Sequence, residues 1–385
     1  YKIRYGGAMI SDEEVRAIVK TINKDRRNWQ AGSEAQKMEQ EASKFLGVKY
    51  GILTNSGSSA GLLALSALEL PKGSEVIISA CTFPTIFNII LQCGLVPVVV
   101  DAKIGTYNFD IDEVEKAITK KTKAIIAIHA LGNPVDLRKL RKITPKHITI
   151  ILDNCDGFGT EIYGRKVEQY ADISITSFHA AHIVSMGVGG GVFTNNLDLA
   201  KKVRTYRDWG RQADINVSEN KKWKQLPKDY NPRFIYEKIG YNFQILEVQA
   251  AMGRIQLRKT EKIKELRKRN FNYLYSYLQH YWDQGLVNPK WNYDADICWF
   301  ALPLTYHGDR GKLLRHLEKA GIETRPLFAA NITRHPAYVN SKYRISGKLK
   351  EADYIMKHSF WISVHPSLTK KDLDYIVGVF DAFFA

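Results

Sequence analysis

The residues best suited to chemistry lie in Ser177-Phe178-His179-Ala180-Ala181-His182, with the glycine-rich run Gly187-Val188-Gly189-Gly190-Gly191 just beyond. Imidazoles can take up and release protons near neutral pH. No lysine occurs between Lys166 and Lys201, so this stretch offers no amine nucleophile. Proton transfer is open to it, and covalent capture of a carbonyl by a lysine is not.

Other places suit a bound phosphate or a planar ring. Asn55-Ser56-Gly57-Ser58-Ser59-Ala60 closes a strand and opens a helix, where unpaired N–H groups and hydroxyls, those of Gly57 and Ser58 among them, can hold a phosphate. Many strand–helix turns share this composition. Asp153 ends a strand on the edge where open α/β sheets bind ligands, and Asp156 follows three residues later; a helix cap or turn aspartate is the plainer role. Phe83, after another strand end, offers a stacking face or fills the core. Ser177 adds a hydroxyl. The run Gly187 to Gly191 lacks the spacing of a dinucleotide loop and reads as a tight turn before Val192-Phe193-Thr194.

The elements that must position these groups alternate between short apolar runs and amphipathic helical patterns, the signature of an α/β fold with a largely parallel sheet. Expected strands are Tyr50 to Thr54, Glu75 to Ser79, Val96 to Val100, Ala124 to Ile128, Ile148 to Leu152, Asp172 to Thr176 and Gly191 to Thr194. Helical patterns include Ala60 to Leu68 and Ile111 to Ile118. Asp214 to Asp229 has the composition of a long loop. A single long helical pattern then runs from about Leu246 to His280. With 385 residues, two domains are expected, a large one over 1–250 and a smaller C-terminal α+β one over 251–385.

The formal charge of +16 raises the question of nucleic acid. The basic clusters belong to no recognisable nucleic-acid module, and the balance also suits a diphosphate substrate, so no nucleic-acid partner is expected. No apolar run is long enough to span a bilayer, and the default location is cytoplasmic. Cys81, Cys93, Cys155 and Cys298 are too scattered for a zinc site, so no metal is expected.

In this order the pieces resemble the fold-type I, vitamin B6-dependent enzymes of the DegT/DnrJ/StrS type that act on nucleotide sugars. The resemblance extends from Trp29-Gln30-Ala31-Gly32 to Phe360-Trp361-Ile362-Ser363. That family reads roughly Ser-Phe-x-x-x-Lys where this chain has Ser177 to His182, so His182 stands in the place of the cofactor lysine. The chain is most similar to the lysine-less branch, the nucleotide-linked 4-keto-6-deoxyhexose 3-dehydratases. Leu131-Gly132-Asn133-Pro134, Arg207-Asp208-Trp209-Gly210-Arg211 and the segment Thr324 to Arg334 carry that narrower match.

The resemblance implies a PLP-dependent transferase-like fold and pyridoxal or pyridoxamine 5'-phosphate as cofactor. It implies phosphate contacts from Gly57, Ser58 and Ser177, and stacking by Phe83. Asp153 would pair with the ring nitrogen, and Asp156 would stand near the ring oxygen, where relatives carry Gln or Glu. Asn242 would reach the neighbouring subunit's phosphate, giving a homodimer with shared sites. His182 becomes the acid/base, glutamate the amino donor, and C3 deoxygenation of a nucleotide-diphosphate sugar the reaction, within deoxysugar and lipopolysaccharide biosynthesis. Arg211, Arg325 and Arg334 are candidates to grip the diphosphate, none singled out.

There are two departures. Cluster-bearing relatives follow Asp-Trp-Gly-Arg with closely spaced cysteines; here Gln212-Ala213-Asp214-Ile215 follows and no cysteine occurs between Cys155 and Cys298, so no iron–sulfur cluster is expected. Val188 replaces the family's turn glutamate. An aminotransferase, a reductive dehydrase served by an iron–sulfur partner and a non-catalytic sugar-nucleotide binder remain alternatives.

Overall fold

The computed structural model describes residues 2–212, 225–227 and 229–385. The first half contains α1 (Asp12–Lys24), α2 (Ser33–Leu46), β1 (Tyr50–Thr54), α3 (Gly57–Ala67), β2 (Glu75–Ser79), α4 (Pro84–Gln92), β3 (Val96–Val100), α5 (Ile111–Ala117), β4 (Thr122–Ile128), α6 (Leu137–Ile143) and β5 (Thr149–Asp153). Next come β6 (Glu161–Ile162), β7 (Arg165–Lys166), β8 (Ile173–Ser177), β9 (Gly190–Thr194), α7 (Leu197–Arg207), α8 (Glu247–Arg258) and α9 (Thr260–Leu278). The chain finishes with β10 (Leu286–Val287), β11 (Ala295–Asp296), β12 (Ala301–Tyr306), α10 (Arg310–Lys319), β13 (Arg344–Ile345), α11 (Lys350–His358), β14 (Ser359–Ser363) and α12 (Lys370–Phe384).

An eight-stranded sheet in the order β1-β9-β8-β5-β4-β2-β3-β13 forms the centre. β9 pairs antiparallel with both β1 and β8, and the remaining pairs are parallel. Strands buried on both faces must be apolar throughout, and alternate residues serve opposite cores. Val76 and Ile78 pack with α3 and α4, whereas Ile77 packs with α5 and α6; Ile126 and Ile125 divide the same way.

A second, three-stranded antiparallel sheet, β10-β12-β14, carries a core of its own with Phe271, Leu274 and Leu278 of α9, Leu313 of α10 and Phe380 of α12. The chain crosses between the two cores. Ile3 joins the smaller one and bridges to Ile322, β13 pairs with β3 of the large sheet, and β11 pairs with β6.

All seven expected strands form, with ends moved by no more than two residues. The long helical pattern after Leu246 differs: it breaks at Lys259 into α8 and α9. Ala250 and Leu257 of α8, with Ile263 in the first turn of α9, answer to one core, and Phe271 to Leu278 of α9 to the other. The expected loop Asp214 to Asp229 lies largely outside the described residues, as do Ala213, Asp214 and Ile215. Among the described residues no helix is long and apolar enough to cross a membrane.

Candidate active site

The carboxyl ends of β2, β4, β5 and β8 meet the N-terminus of α3 around a cavity of about 600 Å³. Seven of the eight residues singled out from the sequence line it: Gly57, Ser58, Phe83, Asp153, Asp156, Ser177 and His182. Asn242 is not among the lining residues; its backbone bridges to Asp208.

The α3 end has the features of an anion site. Ser56 caps the helix by accepting from the Ser59 N–H, and the Ser58 hydroxyl lies 2.8 Å from that of Thr85. A Cβ on Gly57 would stand 2.8 Å from the Ser177 Cβ, so only glycine lets the helix end come this close to β8. Phe83, at the N-cap of α4, is 56% exposed, leaving a ring face open to a ligand.

Two buried carboxyls form the opposite wall. Asp153 accepts the Cys155 N–H at 3.1 Å, and burial raises its pKa. Asp156 accepts the Leu131 N–H at 3.3 Å; burial and the neighbouring Asp153 charge push it up to about 7. Leu131 makes that bond from a left-handed conformation, φ 53°, strained for a non-glycine residue. Gly132 follows at φ 92°, and a Cβ there would stand 2.5 Å from the Cys298 carbonyl oxygen. Phe300 N–H donates to the Leu131 carbonyl at 2.9 Å. The motif Leu131-Gly132-Asn133-Pro134 thus pins the segment carrying Phe300 against the site.

His182 stands between these walls. Its Nε2 lies 3.5 Å from Asp156 Oδ1, and its Nδ1 is buried without a hydrogen-bond partner. The ring meets Phe300 edge-on at 5.5 Å and His179 at 5.9 Å. Burial, with His179 and Arg267 nearby, lowers its pKa to about 4, so the imidazole is neutral at physiological pH. No lysine lines the cavity among the described residues.

The residues present fit a phosphorylated pyridine. First-turn N–H groups and hydroxyls await an anion, Asp153 can face a protonated ring nitrogen, and Phe83 can cover the ring. The other candidates separate. Arg325 lines the cavity, stacked 4.2 Å over the Tyr5 ring, whereas Arg334 is tied to Asp353 and Arg211 sits among Trp209, Phe234 and Tyr236.

Four further residues were not legible from the sequence pattern. His129 lines the cavity with Nδ1 3.3 Å from Asn154 Oδ1 and Nε2 unpartnered; its position at the end of β4 was the available signal. Tyr5 and Trp361 reach the cavity from the chain's two ends, and Arg267 lies behind Phe300. A second hollow, between α2, β1 and α7, gathers Lys44, Lys49, Lys201 and Arg204, and its one carboxylate, Glu39, is already paired.

Comparison with known proteins shows the family and the fold. The chain is 41% identical to the lipopolysaccharide biosynthesis protein RfbH of Salmonella typhimurium, over 90% of this chain and 84% of that protein. It is 36% identical to the dTDP-4-dehydro-2,6-dideoxy-D-glucose 3-dehydratase of Saccharopolyspora spinosa, over 100% and 87% respectively. Its fold superimposes on the E. coli GDP-4-keto-6-deoxy-D-mannose-3-dehydratase with bound hydrated PLP with a TM-score of 0.89, 25% identity, and coverage of 98% of this chain and 100% of that one. The DegT/DnrJ/EryC1/StrS aminotransferase family matches residues 9–381, and this chain belongs to that family.

Proposed function

We propose that this protein is a pyridoxal/pyridoxamine phosphate-dependent 3-dehydratase of a nucleotide-linked 4-keto-6-deoxyhexose, with glutamate as amino donor, acting in the cytoplasm in deoxysugar and lipopolysaccharide biosynthesis. One observation carries the reading: the cavity holds an imidazole, His182, 3.5 Å from the buried Asp156 carboxyl, and among the described residues no lysine lines it; on the resemblance, His182 would take the place of the aminotransferases' lysine. The named dehydratase relatives support it.

When bound, the cofactor supplies an electron sink next to the sugar carbon that loses its hydroxyl. Gly57, Ser58 and Ser177 would hold its phosphate, Phe83 would cover the ring, and Asp153 would keep a proton on the ring nitrogen. His182, neutral and with Nε2 3.5 Å from Asp156, would accept the proton removed beside the cofactor. His182 then returns a proton to the departing C3 hydroxyl. Cys155 and Cys298 bound a long stretch without cysteine, so the reading assigns no iron–sulfur cluster to this chain. Asn242 would serve the partner's site in a homodimer; the exposed apolar side chains of Trp209, Phe234, Tyr236 and Ile239 support such an interface.

Incubation with pyridoxal phosphate, glutamate and GDP-, CDP- or dTDP-4-keto-6-deoxyhexoses in heavy water tests the proposal. Mass spectrometry is expected to show oxygen lost and deuterium gained at C3. An amine delivered to C4 would instead favour the aminotransferase activity that gives the family its name.

A further inference from the structure

Among the described residues lining the cavity, Arg325 alone carries a permanent positive charge. Its guanidinium is held but not used up. The backbone is locked to that of Trp361 by hydrogen bonds in both directions, at 3.2 and 2.8 Å. Nη1 donates to the Thr324 carbonyl at 2.8 Å, and no other N–H of the side chain makes a hydrogen bond among the described residues. The one carboxylate within 4 Å among them, Glu323, stays 3.7 Å from Nη2. Arg334, by contrast, gives both sides of its fork to Asp353, at 2.9 and 2.6 Å. Guanidinium donors left open beside a cavity suit an oxyanion ligand.

The face of that guanidinium rests on a residue from the far end of the chain. Its Cζ lies 4.2 Å from the Tyr5 ring centroid, and the Tyr5 ring meets Trp361 edge-on at 5.9 Å. Tyr5 is brought there by its neighbours. Ile3, buried in the smaller core, donates to the Gly321 carbonyl at 2.8 Å and accepts the Glu323 N–H at 3.0 Å. The Tyr5 N–H donates at 3.1 Å to Glu323 Oε2, the oxygen nearest Arg325, and the Gly7 carbonyl lies 2.9 Å from His365 Nε2. Residues 3–7 thus form a strap whose one aromatic ring lies under the cavity's permanent cation. The bond from Tyr5 also engages the carboxylate that could otherwise close on the guanidinium.

We propose that Tyr5 is a positioning residue: its ring face holds the Arg325 guanidinium in place at the cavity, where the open donors take an oxyanion of a reactant. Two reactants carry one, glutamate through its carboxylates and the sugar nucleotide through its diphosphate; the choice of these two rests on the function proposed above. An aromatic face suits this task, because it fixes the plane of a guanidinium without taking any of its N–H groups. A carboxylate in the same place would consume them.

The test measures two affinities in the cofactor-loaded protein. One is the glutamate concentration that half-saturates the change in cofactor absorbance; the other is the dissociation constant of GDP, CDP or dTDP, read by calorimetry. Tyr5→Ala is expected to weaken the anion that Arg325 holds by about tenfold, with the limiting rate at saturating glutamate nearly unchanged. A loss for glutamate identifies the donor's carboxylate as the occupant, and a loss for a nucleoside diphosphate identifies the diphosphate. Tyr5→Phe keeps both affinities. In an Arg325→Gln background, Tyr5→Ala adds no further loss, whereas a strap that only supported the fold would lower affinity in either background. Unchanged affinities in Tyr5→Ala, an equal loss in Tyr5→Phe, or additive losses in the double variant would overturn the proposal. Should Tyr5→Ala not fold, Tyr5→Leu, which fills the space beside Trp361 without an aromatic face, reads the same coupling. A coupled loss in a protein that dehydrates no sugar nucleotide would leave Tyr5 its role and remove the proposed function.

Discussion

The buried charges under β1 and those around the cavity use similar residues to opposite ends. Beneath β1, Arg207 donates to Glu39 at 3.0 Å, to Asp208 at 2.8 and 3.0 Å and to the Leu53 carbonyl at 3.1 Å, while Glu39 also accepts the Leu53 N–H and Arg204. Burial opposes the charge, yet the carboxylates of Asp208 and Glu39 hold the guanidinium above its ordinary pKa. Around the cavity, His182 Nδ1, His129 Nε2 and Arg267 Nε are all buried without partners, and the carboxyls are displaced upward. A complete network fixes every proton and serves stability. An incomplete one leaves proton positions within reach of small changes, which catalysis requires.

The sharpest way to break this contrast is His182→Asn. It should reduce deoxygenation by at least about 100-fold while cofactor binding, followed by absorbance, persists; an unchanged rate would remove His182 as the base. On the structural side, Arg207→Met leaves Asp208 without its cation and Glu39 with Arg204 alone and should cost about 3–5 kcal/mol, read from urea unfolding. A loss below about 1 kcal/mol, the surface-pair value, would show that the two regions do not differ as argued.

Gly57→Ala probes the join between helix and sheet. The added Cβ must push Ser177 or the helix end away from the phosphate position, and cofactor affinity should fall by about tenfold, or roughly 1.4 kcal/mol. A comparable effect, on stability rather than binding, belongs to Glu168, which packs against Asn154. Asn154 Nδ2 donates to it at 2.7 Å, and burial pushes its carboxyl up to about 7. A carboxyl whose folded pKa is raised binds more protons folded than unfolded between about 4.5 and 7, so stability falls as pH rises through that window. Glu168→Gln should remove that decline, gaining about 1–2 kcal/mol at pH 8 relative to its parent and little at pH 4.5. Parallel pH–stability curves for the two proteins would contradict it.

Much of this was legible in the chain because local rules govern it. Strand runs such as Val96 to Val100 announce themselves by apolar continuity. The small-residue turn at Gly57 and the strand-ending Asp153 announce themselves by position relative to those runs. The break at Lys259 was not legible, because a helical period continues across it while Ala250 and Phe271, on either side, pack in different cores. Nor was Arg267, one basic residue among many on an amphipathic helix; only the packing of α9 behind Phe300 distinguishes it from its solvated neighbours.

The sequence by itself determined which chemical groups exist: imidazoles at His179 and His182 in a stretch free of lysine, two carboxyls at a strand end, and no cysteine between Cys155 and Cys298 to ligate a cluster. The tertiary structure decided their protonation and their company. Burial depth and the charges that folding brings close, Asp153 beside Asp156 and His179 beside His182, set those states. Desolvation and Coulomb interactions depend on distance through space, which no spacing along the chain encodes.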